Sequence, residues 1–343
     1  MKFKKFAVCA CALAMAASMV TGCGNKEKKA ATASKAAANA AEKWPSKPIT
    51  FIVTHGAGGD TDYNARVLAR LLEKELKQPV VVNNVTGANG SIAMTQYKDG
   101  KNDGYTFIAT NTVAMASNEA TGITKFGYTA FEPVCIYGKQ CGENILVRKD
   151  APYNTLKEFI EASKQNPGKL KLGIAMGGSS YVAALIMEQK GGAKFAVVDA
   201  GDGGDRMTAL IGGHVDATIA PYTLAKEYIE KGQLKTLATL ISERSKTLPN
   251  IPTAKESGIE DLTVDTWYGI LAPKGTNPAI VEKLNAAILK IVKENPEYKA
   301  EVEKYDFQAP WALNVADTKT YLDKQRNHFM DYSKYLTSAK KKK

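Results

Sequence analysis

The residues of this sequence best placed to do chemistry sit in four glycine-rich turns, each between an apolar run and a helical pattern. The first runs from Ile49-Thr50-Phe51-Ile52-Val53 through His55-Gly56-Ala57-Gly58-Gly59-Asp60-Thr61-Asp62 to a helix starting near Tyr63. The others are Gly87-Ala88-Asn89-Gly90-Ser91, Met176-Gly177-Gly178-Ser179-Ser180 and Asp199-Ala200-Gly201-Asp202-Gly203-Gly204-Asp205. Glycine lets backbone approach a ligand closely, and the helix that follows presents unpaired N–H groups and the positive end of its dipole. Such a mouth suits an anion. In the first turn Thr61 or Asp62 is placed to accept from the first-turn amides. None of the spacings is G-x-G-x-x-G or G-x-x-x-x-G-K-[ST], so no nucleotide-binding motif follows.

Other chemistries find less support. Three histidines, His55, His214 and His328, are too few for a histidine-based metal site, and no metal or cofactor is expected. His55 is read in two ways, as a hydrogen-bond partner of a ligand carboxylate or as a packed turn residue; His214 reads as structural. Ser179 and Ser180 lie outside G-x-S-x-G with no spaced base and acid, so they point to helix capping or ligand binding and not to a hydrolase nucleophile.

The elements that must position these turns alternate between strand and helix, the pattern of mostly parallel sheets covered on both faces. Ala65, Val67, Leu68, Leu71, Leu72 and Leu76 mark the buried stripe of the first helix, which Pro79 stops before the strand Val80-Val81-Val82. Tyr105 to Ala109 is a strand ending at Thr110-Asn111-Thr112. Asn144 to Val147 opens a second βα series, with a capping box at Thr155 and Glu158, and Asn166-Pro167-Gly168 ending that helix. Leu170 to Ala175, Val197-Val198, Val215 to Ile219, Leu234 to Leu240 and Trp267 to Pro273 are further strands, and Met207, Leu210 and Ile211 mark a helix stopped by Gly212-Gly213. Helices over Pro278 to Val292, Pro296 to Tyr305 and Asp317 to about Tyr335 finish the chain. Trp267 is expected to pack at a hinge, with a cleft-lining role as the alternative.

The ends read differently. Lys2, Lys4 and Lys5 precede an apolar run from Phe6 to Val20, the length of a signal-peptide core and too short for a relaxed membrane span. Val20-Thr21-Gly22-Cys23 resembles a lipobox, which implies cleavage before Cys23 and a diacylglycerol on its thiol; residues 1–22 are then a lipoprotein signal peptide. Residues 23–43 hold no large apolar side chain ahead of the globular part and read as a flexible tether. The formal charge of +11 resides almost wholly at these ends and in Lys340 to Lys343, so the globular body is nearly neutral. Anionic lipid headgroups or wall polymers account for such tails, and no nucleic-acid partner is expected. Cys135 and Cys141 pair across a short loop or remain two buried thiols.

Several strings in order resemble the extracytoplasmic receptors of tripartite tricarboxylate transporters, the Bug-type solute-binding proteins. They are Trp44-Pro45-Ser46-Lys47-Pro48-Ile49 with Gly58-Gly59 and Thr61-Asp62; Pro79-Val80-Val81-Val82 with Gly87-Ala88-Asn89-Gly90; Asp103-Gly104-Tyr105-Thr106; Asn166-Pro167-Gly168-Lys169-Leu170; Gly212-Gly213-His214-Val215-Asp216; Arg244-Ser245 with Leu248-Pro249 and Ile251-Pro252-Thr253; and Trp267-Tyr268-Gly269 with Ala272-Pro273. The resemblance implies an α/β, two-lobed type II periplasmic-binding-protein fold, with residues 44–146 plus 266–343 as lobe 1 and 147–265 as lobe 2. It implies a small carboxylate held between the lobes by His55, Gly58, Gly59, Thr61, Asp62, Thr110, Asn111, Thr112, Gly178, Ser179, Ser180, Asp199 and Asp202.

The sequence also departs from that family. Where many members carry Tyr-Lys-Gly, it has Ala200-Gly201-Asp202; the lost lysine and gained Asp202 and Asp205 suit a ligand with an amino group beside its carboxylate. The resulting expectation is a monomeric, lipid-anchored receptor on the outer face of the cytoplasmic membrane, passing a small carboxylate to the permease subunits of a tripartite transporter. The alternatives are a receptor signalling to a membrane sensor kinase and, with no acid/base pair or cofactor lysine in its favour, an enzyme on the same fold.

Overall fold

The computed structural model describes residues 42–140, 143–244, 248–304 and 308–340. The expected signal-peptide core, Cys23, most of the expected tether and Cys141 lie outside them. Residues 45–343 form one compact unit, which carries every strand among the described residues.

In chain order that unit contains β1 (Ile49–Val53), α1 (Asp60–Leu76), β2 (Val80–Asn84), α2 (Ser91–Tyr97), β3 (Thr106–Asn111), a π-helical turn (Val113–Ser117) running into α3 (Asn118–Thr121), β4 (Phe131–Gln140), β5 (Glu143–Arg148), α4 (Leu156–Gln165), β6 (Lys171–Ile174), α5 (Ser179–Gly191) and β7 (Ala196–Asp199). There follow α6 (Gly203–Ile211), β8 (Ala217–Pro221), α7 (Tyr222–Glu230), β9 (Leu234–Thr239), β10 (Thr266–Pro273), α8 (Pro278–Glu294), α9 (Pro296–Glu303), β11 (Gln308–Ala309) and α10 (Val315–Lys340).

Two mixed sheets result, one ordered β11-β4-β10-β3-β1-β2 and the other β7-β6-β8-β5-β9. β1 lies parallel between β2 and β3, and β6 parallel between β7 and β8. β10 runs antiparallel to β3 and β4, and β5 antiparallel to β8 and β9. The reversed strand is therefore the one that enters each sheet after the chain leaves the other. Reversal puts the starts of β5 and β10 beside the carboxyl ends of the parallel strands: Glu143 lies opposite Pro221, and Tyr268 opposite Asn111. Those carboxyl edges are where open α/β sheets take ligands.

Alternation along β5 fixes both faces of its sheet. Ile145 and Val147 join a core with Leu156 and Phe159 of α4 and Val182, Ala183 and Ile186 of α5, whereas Leu146 packs with Met207 and Leu210 of α6 and Ala225 of α7. In the six-stranded half, Ile108, Met115, Trp267 and Leu322 share one cluster. α10 belongs to both halves, since Leu322 sits in that cluster and Phe329 in the core beneath β5. Trp267 is fully buried, edge-on to Tyr321, and its backbone N–H donates to Thr112 Oγ1 at 2.9 Å. It packs where the chain crosses between sheets.

Local signals act as expected in several places. Thr155 caps α4, accepting from the Glu158 N–H at 3.1 Å, while the Glu158 carboxylate reaches the Asn154 amide at 2.7 Å. Asn277 and Asn295 cap α8 and α9, each with proline in the first turn. Cys135 is a buried free thiol, its pKa pushed up to about 12 by burial. This replaces the disulfide expected as one alternative: β4 buries Cys135 in the sheet, with Sγ on the Ile136 and Leu313 carbonyls.

Gly90 is closely enclosed beside the first mouth. Its φ is +84°, and a Cβ there would stand 3.0 Å from Ala114, 3.1 Å from Thr54 and 3.2 Å from the His55 ring. Gly90→Ala is expected to cost roughly 1–3 kcal/mol through strain and overpacking together. Chemical denaturation checks this, and wild-type stability in the variant would show that the turn relaxes freely.

Candidate functional site

In the six-stranded half the crevice lies between the carboxyl ends of β1 and β3. α1 starts at Asp60, one residue after Gly59, and its cap makes no side-chain bond. The expected capping by Thr61 or Asp62 does not occur, because both side chains are engaged elsewhere. The Asp62 carboxylate folds back to accept from the Gly58 N–H at 2.9 Å, from Arg66 Nε and from Asn84 Nδ2. Thr61 Oγ1 is buried and accepts from Asn111 Nδ2 at 2.9 Å. The Gly59 N–H donates to the Gly56 carbonyl, and the Thr61 N–H to Asp60 Oδ1. Much of the amide-rich turn is thus satisfied by its own residues.

Arg66 and the Gly58 and Asn84 N–H groups hold the Asp62 carboxyl below its ordinary range against the opposing effect of burial. A depressed carboxylate stabilises the fold above the unfolded value, near 3.8, and that stabilisation disappears as pH falls through the lower folded value. Asp62→Asn is accordingly expected to lose about 1–2 kcal/mol at neutral pH, discounted for the half-exposed Arg66. The gap to wild type should close in acid. A gap independent of pH, measured by urea unfolding, would show that the carboxylate charge contributes nothing.

His55 is enclosed between Thr54 and Asn111. Nδ1 lies 2.8 Å from Thr54 Oγ1, which lies 2.8 Å from Thr110 Oγ1; Nε2 faces Asn111 Nδ2 at 3.5 Å. An amide nitrogen only donates, so Nε2 presents its lone pair and the proton belongs on Nδ1. Burial lowers the ring pKa, with the Asp60 charge opposing it. The imidazole is therefore neutral, and both nitrogens have protein partners. Thr112 points into the chain crossing, donating to the Asp265 carbonyl and accepting from Trp267. Asp60 Oδ2 accepts from the Tyr268 hydroxyl at 2.8 Å, joining α1 to the start of β10.

In the five-stranded half the crevice lies between β6 and β8, with Glu143 at its edge. Here α5 starts after Gly178 without a side-chain cap, leaving first-turn amides that no helix can satisfy internally. The serines do not cap it. Ser179 Oγ donates to Glu143 Oε1 at 2.6 Å, and Ser180 Oγ accepts from the Ala175 N–H at 2.9 Å and from Arg206 Nη1 at 3.1 Å. Arg206 reaches this point from the first turn of α6, on the other face of the sheet. Asp202 caps α6, accepting from the Gly204 and Asp205 amides, and Asp199 Oδ1 accepts from the Met176 N–H. The acidity expected of Asp202 in the cleft is spent on its own helix.

Three side chains at this crevice are buried with polar atoms that have no hydrogen-bond partner among the described residues. They are Glu143 (5 % exposed) at Oε2, Arg206 (5 %) at Nε, and Asn144 (1 %) at both amide atoms. An orphaned buried polar group costs about 1–3 kcal/mol, more when charged, and these three residues carry four such atoms. Burial raises the Glu143 pKa, the Arg206 charge and the Ser179 bond oppose this, and Asp60 adds to it. The two crevices face each other: the Asp60 charge is felt at Glu143, Asn89 Nδ2 donates to the Met176 carbonyl at 3.2 Å, and Ser117 and Thr121 donate to the Gly177 carbonyl.

Comparison with known proteins places this geometry. The sequence profile of the tripartite tricarboxylate transporter family receptor matches residues 64–332. The chain belongs to this receptor family. It is 32 % identical over 282 residues to the protein BugT of Bordetella pertussis, covering 81 % of this chain and 85 % of that one. A TctC solute-binding protein from Polaromonas superposes with a TM-score of 0.69 at 32 % identity, over 86 % of the receptor and 99 % of the other chain. MatC from Rhodopseudomonas palustris, solved with bound malate, gives 0.73 at 25 % identity over 84 % and 100 %.

The receptor thus has the two-lobed periplasmic-binding α/β fold, and its family is one of solute-binding proteins and not of enzymes. No helix among the described residues is long and apolar enough to cross a membrane. The glycine turns expected to hold a ligand lie at these carboxyl edges, and beside them the structure adds Glu143, Asn144, Arg206 and Tyr268, which were not expected as site residues. One signal was available. Arg206 precedes Leu210 by four residues, so it lies on the apolar stripe of α6, where a charge needs a partner.

Proposed function

We propose that the receptor closes its two crevices on a small carboxylate and presents it to the permease subunits of a tripartite transporter. Arg206 Nε and the uncapped first-turn amides of α5 receive the carboxylate, since Arg206 Nε is, with Asn144 Nδ2, a buried donor without a hydrogen-bond partner among the described residues, and α5 has no side-chain cap. The observation that carries this reading is the cluster of orphaned buried polar atoms at a sheet's carboxyl edge. His55, Thr61, Asn111 and Thr110 shape one mouth through a shared set of hydrogen bonds, Ser180 shapes the other with Ala175 and Arg206, and Asp62 holds the Gly58 turn in place. Malate in MatC is a ligand of the same chemistry. The lipobox reading completes the proposal: a lipid on Cys23 keeps the monomer outside the cell, with the tether spanning to the globular part.

A thermal-shift screen of small carboxylates, followed by recovery of the bound compound, tests the reading. A ligand at about 100 times its Kd adds roughly 2.7 kcal/mol to stability and should be recovered unchanged. If no carboxylate raises the melting temperature, or if the compound is recovered transformed, the reading fails.

A further inference from the structure

We propose that the ligand carries an ammonium group beside its carboxylate, and that Glu143 receives the ammonium while Arg206 receives the carboxylate. The inference deepens the receptor reading and rests on it. Glu143 starts β5, ahead of Asn144 and the apolar Ile145, Leu146 and Val147, and its side chain is buried. Ser179 donates to one oxygen. The other, Oε2, is buried and has no donor among the described residues, and an ionised carboxylate can only accept. The complementary group is a donor cation.

The charges around the crevice agree. Glu143 and, from the facing half, Asp60 are two carboxylates; Arg206 is the one cation among the described residues whose charge is felt at Glu143, and the His55 ring is neutral. A dicarboxylate would bring further negative charge against two acidic side chains. A small aminocarboxylate brings none, and it sets its positive end against Glu143 and its negative end against Arg206. Asn144, with a free donor and a free acceptor on the face of β5 shared with Leu146 and α6, suits either end. The amino group first suggested by Asp202 is thereby assigned to a different acid, one with an unused acceptor atom.

Calorimetric titration of small amino acids, each matched with the carboxylate lacking its amino group, provides the test. For at least one pair the amino member should bind the wild-type protein about tenfold or more tighter than its partner. Glu143→Gln should erase most of that preference, with circular dichroism confirming a folded variant. Wild-type binding confined to carboxylates without an amino group overturns this inference and leaves the receptor reading intact. A preference that survives in the folded E143Q variant also overturns it. Failure of every carboxylate to bind, with or without an amino group, overturns both.

Discussion

Arg206→Met is expected to lower ligand affinity by about two orders of magnitude, since a charge-assisted bond contributes about 1.5–3 kcal/mol and a neutral side chain replaces it without a donor. It should also destabilise the ligand-free protein. Arg206 is buried from the first turn of α6, donates to Ser180 Oγ and lies near the buried Glu143. Removing one member of such a set strands the other. The cost stays near 1–3 kcal/mol because Glu143, already raised in pKa, takes up a proton once the guanidinium is gone. The double variant Arg206→Met/Glu143→Gln should therefore be more stable than the sum of the two single losses. Arg206→Lys keeps the charge but loses the planar fork, and should recover stability better than affinity. Unfolding curves and titrations of the four proteins check this. Strict additivity, or wild-type affinity in R206M, would show that Arg206 and Glu143 do not act as one network.

Most of the fold was legible because its local signals agree with its global pattern. Apolar runs, glycine turns and amphipathic helices follow each other at βα spacing, and the helix stops at Pro79, Asn166-Pro167-Gly168 and Gly212-Gly213 all lie at observed boundaries. β4 was not legible. It includes Pro133 and Gly138 within ten residues, and the structure absorbs them in register shifts against β10 at Tyr268/Gly269 and Ile270/Leu271. A strand with two such interruptions carries no readable alternation. The π-helical turn Val113–Ser117 was unread for a related reason: its small and apolar residues give neither period clearly.

The site divides along the same line. Turns that follow a strand in sequence could be found, so His55, Thr61, Asn111, Ser179 and Ser180 were named. Their roles could not be, because a hydroxyl or imidazole in a glycine turn has many possible partners and only the tertiary structure selects one. Asp62, expected as a ligand contact, accepts hydrogen bonds from Arg66 and Asn84. Glu143 and Arg206, 63 positions apart in the numbering, meet only because β5 is reversed within its sheet and α6 covers one face of it. A reversed strand entering from another sheet leaves no trace in local periodicity.

The second large effect expected is in pH dependence, where Glu143 should behave oppositely to Asp62. Burial raises the Glu143 pKa above its ordinary 4.5, helped by Asp60 from α1 and resisted by Arg206 from α6 and the Ser179 hydroxyl from α5. Between the unfolded and folded values the native protein binds more protons than the unfolded chain, so this group makes stability fall as pH rises through that window. E143Q carries no such penalty and should gain on wild type over the same interval, then hold a constant difference above it. Ligand binding adds a sharper test. An ammonium group needs the ionised carboxylate, so affinity for an aminocarboxylate should rise with pH through the free protein's Glu143 value, with a proton released on binding. A dicarboxylate prefers the protonated acid and should show the reverse slope with proton uptake. Calorimetry in two buffers of different ionisation enthalpy reads the sign directly, and in E143Q both proton terms should vanish. A proton taken up by wild type with its amino ligand would mean that Glu143 donates to the ligand, and the ammonium would have to be held by another group.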